Sequence, residues 1–117
     1  MALLDVTQDV RDTAVVVSAD GEVDSASVTN LVFHLDTALK RALDHPARLL
    51  VIDLARLTYF GSAGLNAVLE CYEQGLTGDV AVRVVAATAE VIRPLQVTRL
   101  DGVLRPYPTV TDAVEGD

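Results

Sequence analysis

Two runs of apolar residues constrain the fold of this chain more than any other feature of its sequence. Residues 49–52 (LLVI) are all apolar, and residues 80–86 (VAVRVVA) are interrupted by a single arginine. Such runs are typical of strands that are covered on both faces, as in a parallel sheet. Each run follows an amphipathic stretch, and strands linked by helices pair in parallel through right-handed crossovers. The sequence therefore predicts an α/β fold.

The first helix is predicted between residues 25 and 46. Apolar residues recur there at intervals of three and four, as on one face of a helix: Val28, Leu31, Val32, Leu35, Leu39, Ala42 and Leu43. Ser25 or Ser27 is suited to cap its first turn, because a short hydroxyl accepts hydrogen bonds from free amides. Pro46 closes the segment.

The chain before this helix predicts a hairpin, and the chain after the first apolar run predicts a second helix. Residues 3–10 and 15–17 are the two hairpin strands, joined by a short polar turn. Residues 65–72 carry the apolar face of the second helix. Gly75 and Gly78 mark its end.

The C-terminal third predicts two helices and a short strand. Thr88 can cap a third helix, in which Pro94 introduces a kink or forces a late start. Val103 and Leu104 begin a last short strand, which prolines interrupt, and residues 109–114 form a final helical turn or two.

The predicted element order is β-β-α-β-α-β-α-β-α. The fold class is α/β, with a mixed β-sheet made of an N-terminal hairpin plus parallel strands and about four helices packed on it. At 117 residues, the chain is expected to be a single domain over 1–117.

Charge and cysteine content exclude several classes of partner. Seventeen acidic against nine basic residues give a formal charge of −8, which disfavours nucleic acid and anionic membranes. Cys71 is the single cysteine, so no internal disulfide forms and a reducing compartment is expected. The N-terminus has no signal-peptide pattern, and no apolar run approaches the roughly 18 residues of a membrane span. We expect a soluble, cytoplasmic protein.

Ser62 lies between an apolar strand and a helix, in the sequence Gly-Ser-Ala-Gly. The free amides and the dipole of a helix start favour negative charge by about 0.3–1 kcal/mol. Three interpretations stay open at this point. Ser62 caps the helix, acts as a nucleophile, or accepts a regulatory phosphate.

Catalysis by Ser62 is poorly supported. The nucleophile elbow of hydrolases is G-x-S-x-G, and Phe60 stands where its first glycine belongs. His34 and His45 are the candidate bases, yet both precede the serine, whereas the hydrolase order places the base last.

Nucleotide binding and a receiver-type aspartate switch are also disfavoured. No glycine-rich fingerprint follows the first strand. Asp53 follows a central strand, as a receiver aspartate does, but no acidic pair ends the first strand and Lys40 lies on the first helix. Asp53 is then a polar strand end, and neither a cofactor nor a metal is expected.

A phosphate on Ser62 would add about −1.5 to −2 units of charge. The helix N-terminus can tolerate that charge, so the fold would persist. A protein docked over this position would have to desolvate the charge, so the modification would act on binding more than on folding.

Residues 51–70 (VIDLARLTYFGSAGLNAVLE) resemble the motif segment of anti-sigma factor antagonists, the bacterial branch of the STAS domain family. The family motif is an apolar strand followed by Asp-Ser-(Ser/Thr/Ala)-Gly-Leu, which opens a helix. Residues 21–24 (GEVD) are similar to the family's Gly-Glu-Leu-Asp, and residues 90–107 resemble its third helix and last strand.

The resemblance implies a transcription regulator that is not an enzyme. It would bind a cytoplasmic anti-sigma factor, often a serine kinase with a GHKL-type ATP site, and so free a sigma factor. The kinase would phosphorylate Ser62 and abolish binding, and a phosphatase would reverse the reaction. The alternatives are a STAS binding or scaffold protein that is never phosphorylated, and a small serine hydrolase.

Three residues depart from the family pattern. Gly61 stands in place of the motif aspartate, Arg99 stands where a glycine is usual, and Pro94 lies inside the third helix. The loss of the carboxylate bears on recognition by a kinase, and Arg99 bears on how the third helix ends.

The expected partner surface surrounds Ser62. It comprises an acidic loop, the residues of the strand–helix junction and two polar residues of the second helix: Asp20, Glu22, Asp24, Tyr59, Phe60, Gly61, Ala63, Gly64, Asn66 and Glu70. For the aromatic residues, burial in the core is the alternative. For the polar residues, the alternatives are a solvated face and a helix cap.

Overall fold

A computed structural model describes residues 3–116. These residues form four strands and five helices, in the order β-β-α-β-α-β-α-α-α. They are β1 (Leu4–Val10), β2 (Val15–Val23), α1 (Val28–Leu43), β3 (Leu49–Phe60), α2 (Ser62–Thr77), β4 (Ala81–Val85), α3 (Ala89–Val97), α4 (Asp101–Leu104) and α5 (Val110–Glu115).

The strands form one mixed sheet in the order β1-β2-β3-β4. β1 pairs with β2 as an antiparallel hairpin, and β3 pairs in parallel with both β2 and β4. The predicted α/β fold, with an N-terminal hairpin and parallel strands, is confirmed. No helix among the described residues is long and apolar enough to cross a membrane.

Alternation along the strands divides the core between two faces of the sheet. Val15 and Val17 of β2 pack with Leu50 and Ile52 of β3 in a large cluster that α1, α2 and α3 cover. The residues that alternate with them along the two strands point to the other face, where they form a smaller cluster with Ala113 of α5. Both faces of β3 are thus covered, which explains its continuous apolar run.

β3 is longer than its apolar run predicts. The pairing of β2 with β3 shifts between Ser18 and Asp20 and again between Gly21 and Glu22. At each shift β3 contains one extra residue, which reverses the alternation of its side chains. As a result, apolar residues three positions apart all reach the core: Leu54, Leu57 and Phe60.

The predicted last strand is wrong. Val103 and Leu104 lie in the short helix α4, which brings the number of helices to five. A single parallel bridge between Val85 and Tyr107 stands where that strand was expected. Prolines precede and follow Tyr107, and because proline has no N–H group the ladder stops at one residue.

Two further expectations about helix ends need correction. α3 begins directly after Thr88 and continues through Pro94, so the proline does not delay its start. Gly75 lies within α2, where a Cβ would be 2.6 Å from Val82 Cγ2, so the glycine allows close packing on β4. Gly78 ends α2 as predicted.

Arg99 has a left-handed backbone (φ 62°) just after the end of α3. That conformation costs a residue with a Cβ about 1–2 kcal/mol. Glycine is the usual residue at this position of a helix C-terminus. The arginine therefore keeps the glycine conformation at an energetic cost.

We predict that Arg99→Gly raises the free energy of unfolding by roughly 0.5–1 kcal/mol, because glycine adopts this backbone without strain. Urea unfolding measures the change. The matched control is Arg93→Gly, an exposed position within α3, which should lower stability by about 1 kcal/mol. A stability loss in both variants would contradict the proposed strain at Arg99.

Candidate functional site

The junction of β3 and α2 forms a fixed corner at the end of the sheet. β3 ends at Phe60, α2 begins at Ser62, and Gly61 between them is the N-cap residue with extended backbone. The Gly61 N–H donates to the Val23 carbonyl oxygen of β2 at 3.0 Å, and the Leu65 N–H donates to the Gly61 carbonyl at 3.1 Å. The corner is therefore held by main-chain bonds to the neighbouring strand.

Ser62 is exposed at the first position of α2 and does not cap it. Gly61 occupies the cap position, so the structural interpretation of Ser62 as a helix cap is wrong. Among residues 3–116 the Ser62 hydroxyl has no hydrogen-bond partner. The first turn of α2 holds no acidic residue, so the positive end of the helix dipole is not neutralised from within the helix.

Phe60 and Gly64 lie on the inner side of the corner, between α2 and the sheet. The Phe60 side chain is 3% exposed and belongs to the large core cluster. A Cβ at Gly64 would lie 2.6 Å from Val23 Cγ1 and 2.9 Å from Phe60 Cε1. Only glycine permits this approach of α2 to the sheet. Both residues are thus buried, and Phe60 offers only a small part of its surface to the outside.

Tyr59 faces the opposite way, with 51% of its surface exposed. Its ring packs over Gly61: a Cβ at position 61 would lie 3.1 Å from both Tyr59 Cε2 and Tyr59 Oη. The glycine that replaces the motif aspartate therefore provides the space that the tyrosine ring occupies.

Glu22 and Asp24 lie beside the corner at the end of β2. Glu22 pairs in register with Tyr59. The Asp24 carboxylate accepts hydrogen bonds from the Ala26 and Ser27 amides, both at 2.9 Å. The Ser27 hydroxyl donates to the Glu22 carbonyl oxygen at 2.8 Å and accepts from the Asp24 amide at 3.0 Å.

These bonds show how α1 begins. Ser27 is the N-cap residue, but its side chain makes no capping bond to the helix. Asp24 supplies the acceptor for the turn that leads into the helix, in agreement with its interpretation as a turn residue. The hydrogen bond that the Ser27 amide donates to the Asp24 carboxylate is the main cause of the lowered pKa of this carboxyl.

Asp20 lies away from the corner, on an uncovered part of the sheet. It pairs in register with Arg56 and, on the other side, with Asp5. Together with Asp53 these residues line a polar groove of about 310 Å³. The structure therefore separates Asp20 from the other two acidic residues that the sequence grouped with it.

Ser62, Asn66 and Glu70 are exposed on α2 at intervals of four residues. Residues spaced in this way lie on one face of a helix, so the three polar side chains form a stripe that starts at the corner. Ala63 is half-buried beside it.

An apolar groove on the other side of the corner was not predicted. It lies between the end of β3 and α3, has a volume of about 430 Å³, and is lined by Tyr59, Phe60, Glu90, Arg93, Pro94 and Val97, among others. Val97 is 76% exposed although Val91 and Leu95 of the same helix are buried. The signal for this groove in the sequence is Val97, an apolar residue that does not lie on the buried face of the short helix α3.

The histidines do not assemble a catalytic pair with Ser62. The Gln8 amide nitrogen lies 2.8 Å from His34 Nδ1, and His45 Nε2 lies 2.7 Å from the Arg11 carbonyl oxygen. Each imidazole is thus engaged elsewhere, and a serine hydrolase finds no support in the geometry.

Thiol and metal chemistry find no support either. Burial raises the pKa of the Cys71 thiol to about 12, so the thiol is protonated and unreactive at neutral pH. Within residues 3–116 no group of His, Cys, Asp and Glu side chains is arranged to hold a metal ion.

Comparison with known proteins gives a consistent result. A family model described as the STAS domain matches residues 5–113. A solved anti-sigma factor antagonist from Mycobacterium paratuberculosis is 29% identical over 97% of this chain and 92% of its own, with a TM-score of 0.87. A comparison with curated proteins finds no match.

Two more distant structures share the fold. The anti-sigma factor antagonist SpoIIAA in its unphosphorylated form is 18% identical, over 95% of this chain and 94% of its own, with a TM-score of 0.74. An anti-sigma factor antagonist STAS domain from Rhodobacter sphaeroides is also 18% identical, over 70% of this chain and 85% of its own, with a TM-score of 0.56.

The lowered pKa of Asp24 predicts how Asp24→Asn responds to pH. The folded pKa lies below the ordinary value of 3.8, so the charged carboxylate stabilises the fold above 3.8. That stabilisation is lost as pH falls through the lowered folded pKa. In thermal melts, wild type should exceed Asp24→Asn in Tm at neutral pH, and the difference should shrink below 3.8. A difference that grows with acidification would contradict this role.

Proposed function

The chain belongs to the STAS domain family, and on that premise we propose that it is an anti-sigma factor antagonist. It binds a cytoplasmic anti-sigma factor and thereby frees a sigma factor for transcription. The relative from Mycobacterium paratuberculosis, similar over nearly the whole length of both chains, supports this assignment.

Binding, and not catalysis, is the activity. STAS domains and the anti-sigma factor antagonists with this fold are binding proteins, in agreement with the expectation that the chain is not an enzyme. The corner offers a partner what an interface requires: an exposed aromatic residue, polar groups around it and a rigid main chain beneath.

Phosphorylation of Ser62 by the anti-sigma factor, acting as a serine kinase, switches binding off. The observation that supports this step is the Ser62 hydroxyl at the first position of α2, which is exposed and makes no hydrogen bond within the described part of the chain. Its oxygen attacks the γ-phosphorus of ATP held by the kinase, the bond to the β,γ-bridging oxygen breaks, and ADP leaves. The hydroxyl proton passes to a base of the kinase, and a phosphatase later hydrolyses the phosphoserine.

The charge explains why the switch acts on binding. Phosphate adds about −1.5 to −2 units of charge, and the free amides at the start of α2 stabilise it. A partner seated on the corner must remove water from that dianion, and desolvating an unpaired charge is costly. Folding is therefore little affected, whereas the complex is destabilised.

A STAS protein that is never phosphorylated is the second candidate. Gly61, which leaves no carboxylate next to the acceptor serine, favours it. Incubation with the purified kinase and ATP, followed by phosphopeptide mapping, distinguishes the two candidates, because only a switch carries phosphate on Ser62.

We predict that Ser62→Asp weakens binding to the anti-sigma factor at least about tenfold, a change of 1.4 kcal/mol. Its Tm should stay within about 2 °C of wild type, because the charge lies at a helix N-terminus. Calorimetric titration with the purified kinase-type anti-sigma factors of the source organism measures the affinity.

Thr111→Asp is the matched control for this substitution. Thr111 is exposed in the first turn of α5, which packs on the opposite face of the sheet. It should leave both affinity and Tm unchanged. Equal affinity of Ser62→Asp and wild type would contradict the charge mechanism.

A further inference from the structure

We propose that the groove between Tyr59 and α3 receives an apolar side chain of the anti-sigma factor, carried on a segment that also presents lysine or arginine. The inference rests on the proposed function and specifies its contact surface. The groove is mainly apolar, its volume of about 430 Å³ can hold a large side chain, and Val97 and Tyr59 on its walls are exposed.

Tyr59 is suited to be the anchor of this contact. Its ring packs over Gly61, which restricts the ring on one side and so reduces the side-chain entropy lost on binding. Tyrosine is also among the residues that carry most binding energy in interfaces. About half of the surface of the residue is still free for contact.

The charge around the groove favours basic residues on either side of the apolar side chain of the partner. Glu90 lies in the lining, and Glu22 pairs in register with Tyr59, which lines the groove. Asp24 follows in the same segment, while Arg93 is the basic residue of the described lining. The lining itself thus carries one acidic and one basic residue, and the negative field comes from Glu22 and Asp24 beside it and from the formal charge of −8 over the molecule. A basic segment is favoured by such a surface.

The order of the strands places Ser62 in the path of that segment. β3 lies between β2 and β4, and α3 follows β4. Gly61 and Ser62 directly follow Tyr59 and Phe60, which line the groove, and the Gly61 amide donates to the Val23 carbonyl at the end of β2. A segment that contacts both the groove and the end of β2 therefore lies close to Ser62, where a phosphate would have to be desolvated.

Gly61 is then part of the binding surface because it makes room for Tyr59. A Cβ at position 61 would lie 3.1 Å from the tyrosine ring, so the ring would have to shift by a few tenths of an ångström. Gly61→Asp, which restores the motif carboxylate, should therefore weaken binding in this chain instead of improving it.

The experiment compares two exposed aliphatic residues, each near the C-terminus of a helix. Val97 of α3 lines the groove, and Leu76 of α2, 61% exposed, does not. Val97→Glu, Leu76→Glu and Gly61→Asp are titrated, as full chains, against the purified kinase-type anti-sigma factor that binds wild type. Circular dichroism melts verify that each variant is folded.

Val97→Glu should lose at least about tenfold in affinity, Gly61→Asp at least about fivefold, and Leu76→Glu less than about twofold. Equal losses of affinity for Val97→Glu and Leu76→Glu, or no loss for Val97→Glu, overturn the proposed role of the groove and leave the proposed function standing. If wild type binds none of the anti-sigma factors, the proposed function itself fails. Concentration-dependent dimerisation that Val97→Glu abolishes would assign the groove to a second copy and overturn the inference.

Discussion

The parallel pairing of β2 with β3 is the constraint on which the rest of the site depends. It continues to the last residue of each strand, Val23 opposite Phe60, and the Gly61 amide adds one more bond to β2. Gly64 then allows α2 to pack closely against the side chains of Val23 and Phe60. Because main-chain bonds and close packing fix the corner, Ser62 and Tyr59 project from a rigid base. A modification at this corner can act on a partner without unfolding the domain.

Local patterns predicted most of the architecture. Apolar runs and amphipathic stretches located β3, β4, α1 and α2, and a glycine-flanked serine located the corner. The sequence did not show which of the adjacent residues Tyr59 and Phe60 is buried. Two bulges in β3 decide that, since each reverses the alternation of side chains. The last strand was overpredicted because the flanking prolines limit Tyr107 to one bridge.

The sequence did not predict the groove between Tyr59 and α3, for a different reason. Its walls come from residues about 30 to 40 positions apart in the sequence, Tyr59 on one side and Arg93 to Val97 on the other. Only the order of the strands brings them together. The same holds for Asp20, which lies four residues before Asp24 in sequence but pairs with Arg56 on another part of the sheet. Two departures from the family motif also gain a three-dimensional context: Gly61 lies under the Tyr59 ring, and Arg99 keeps a glycine-like backbone at an energetic cost.

Amide hydrogen exchange with and without the anti-sigma factor tests the central claim, contact through the corner, most directly. Contact there predicts slower exchange on binding in residues 22–24, 59–66 and 89–97, with β1 and α5 unchanged. Slower exchange confined to β1 or α5, with the corner unaffected, would contradict it.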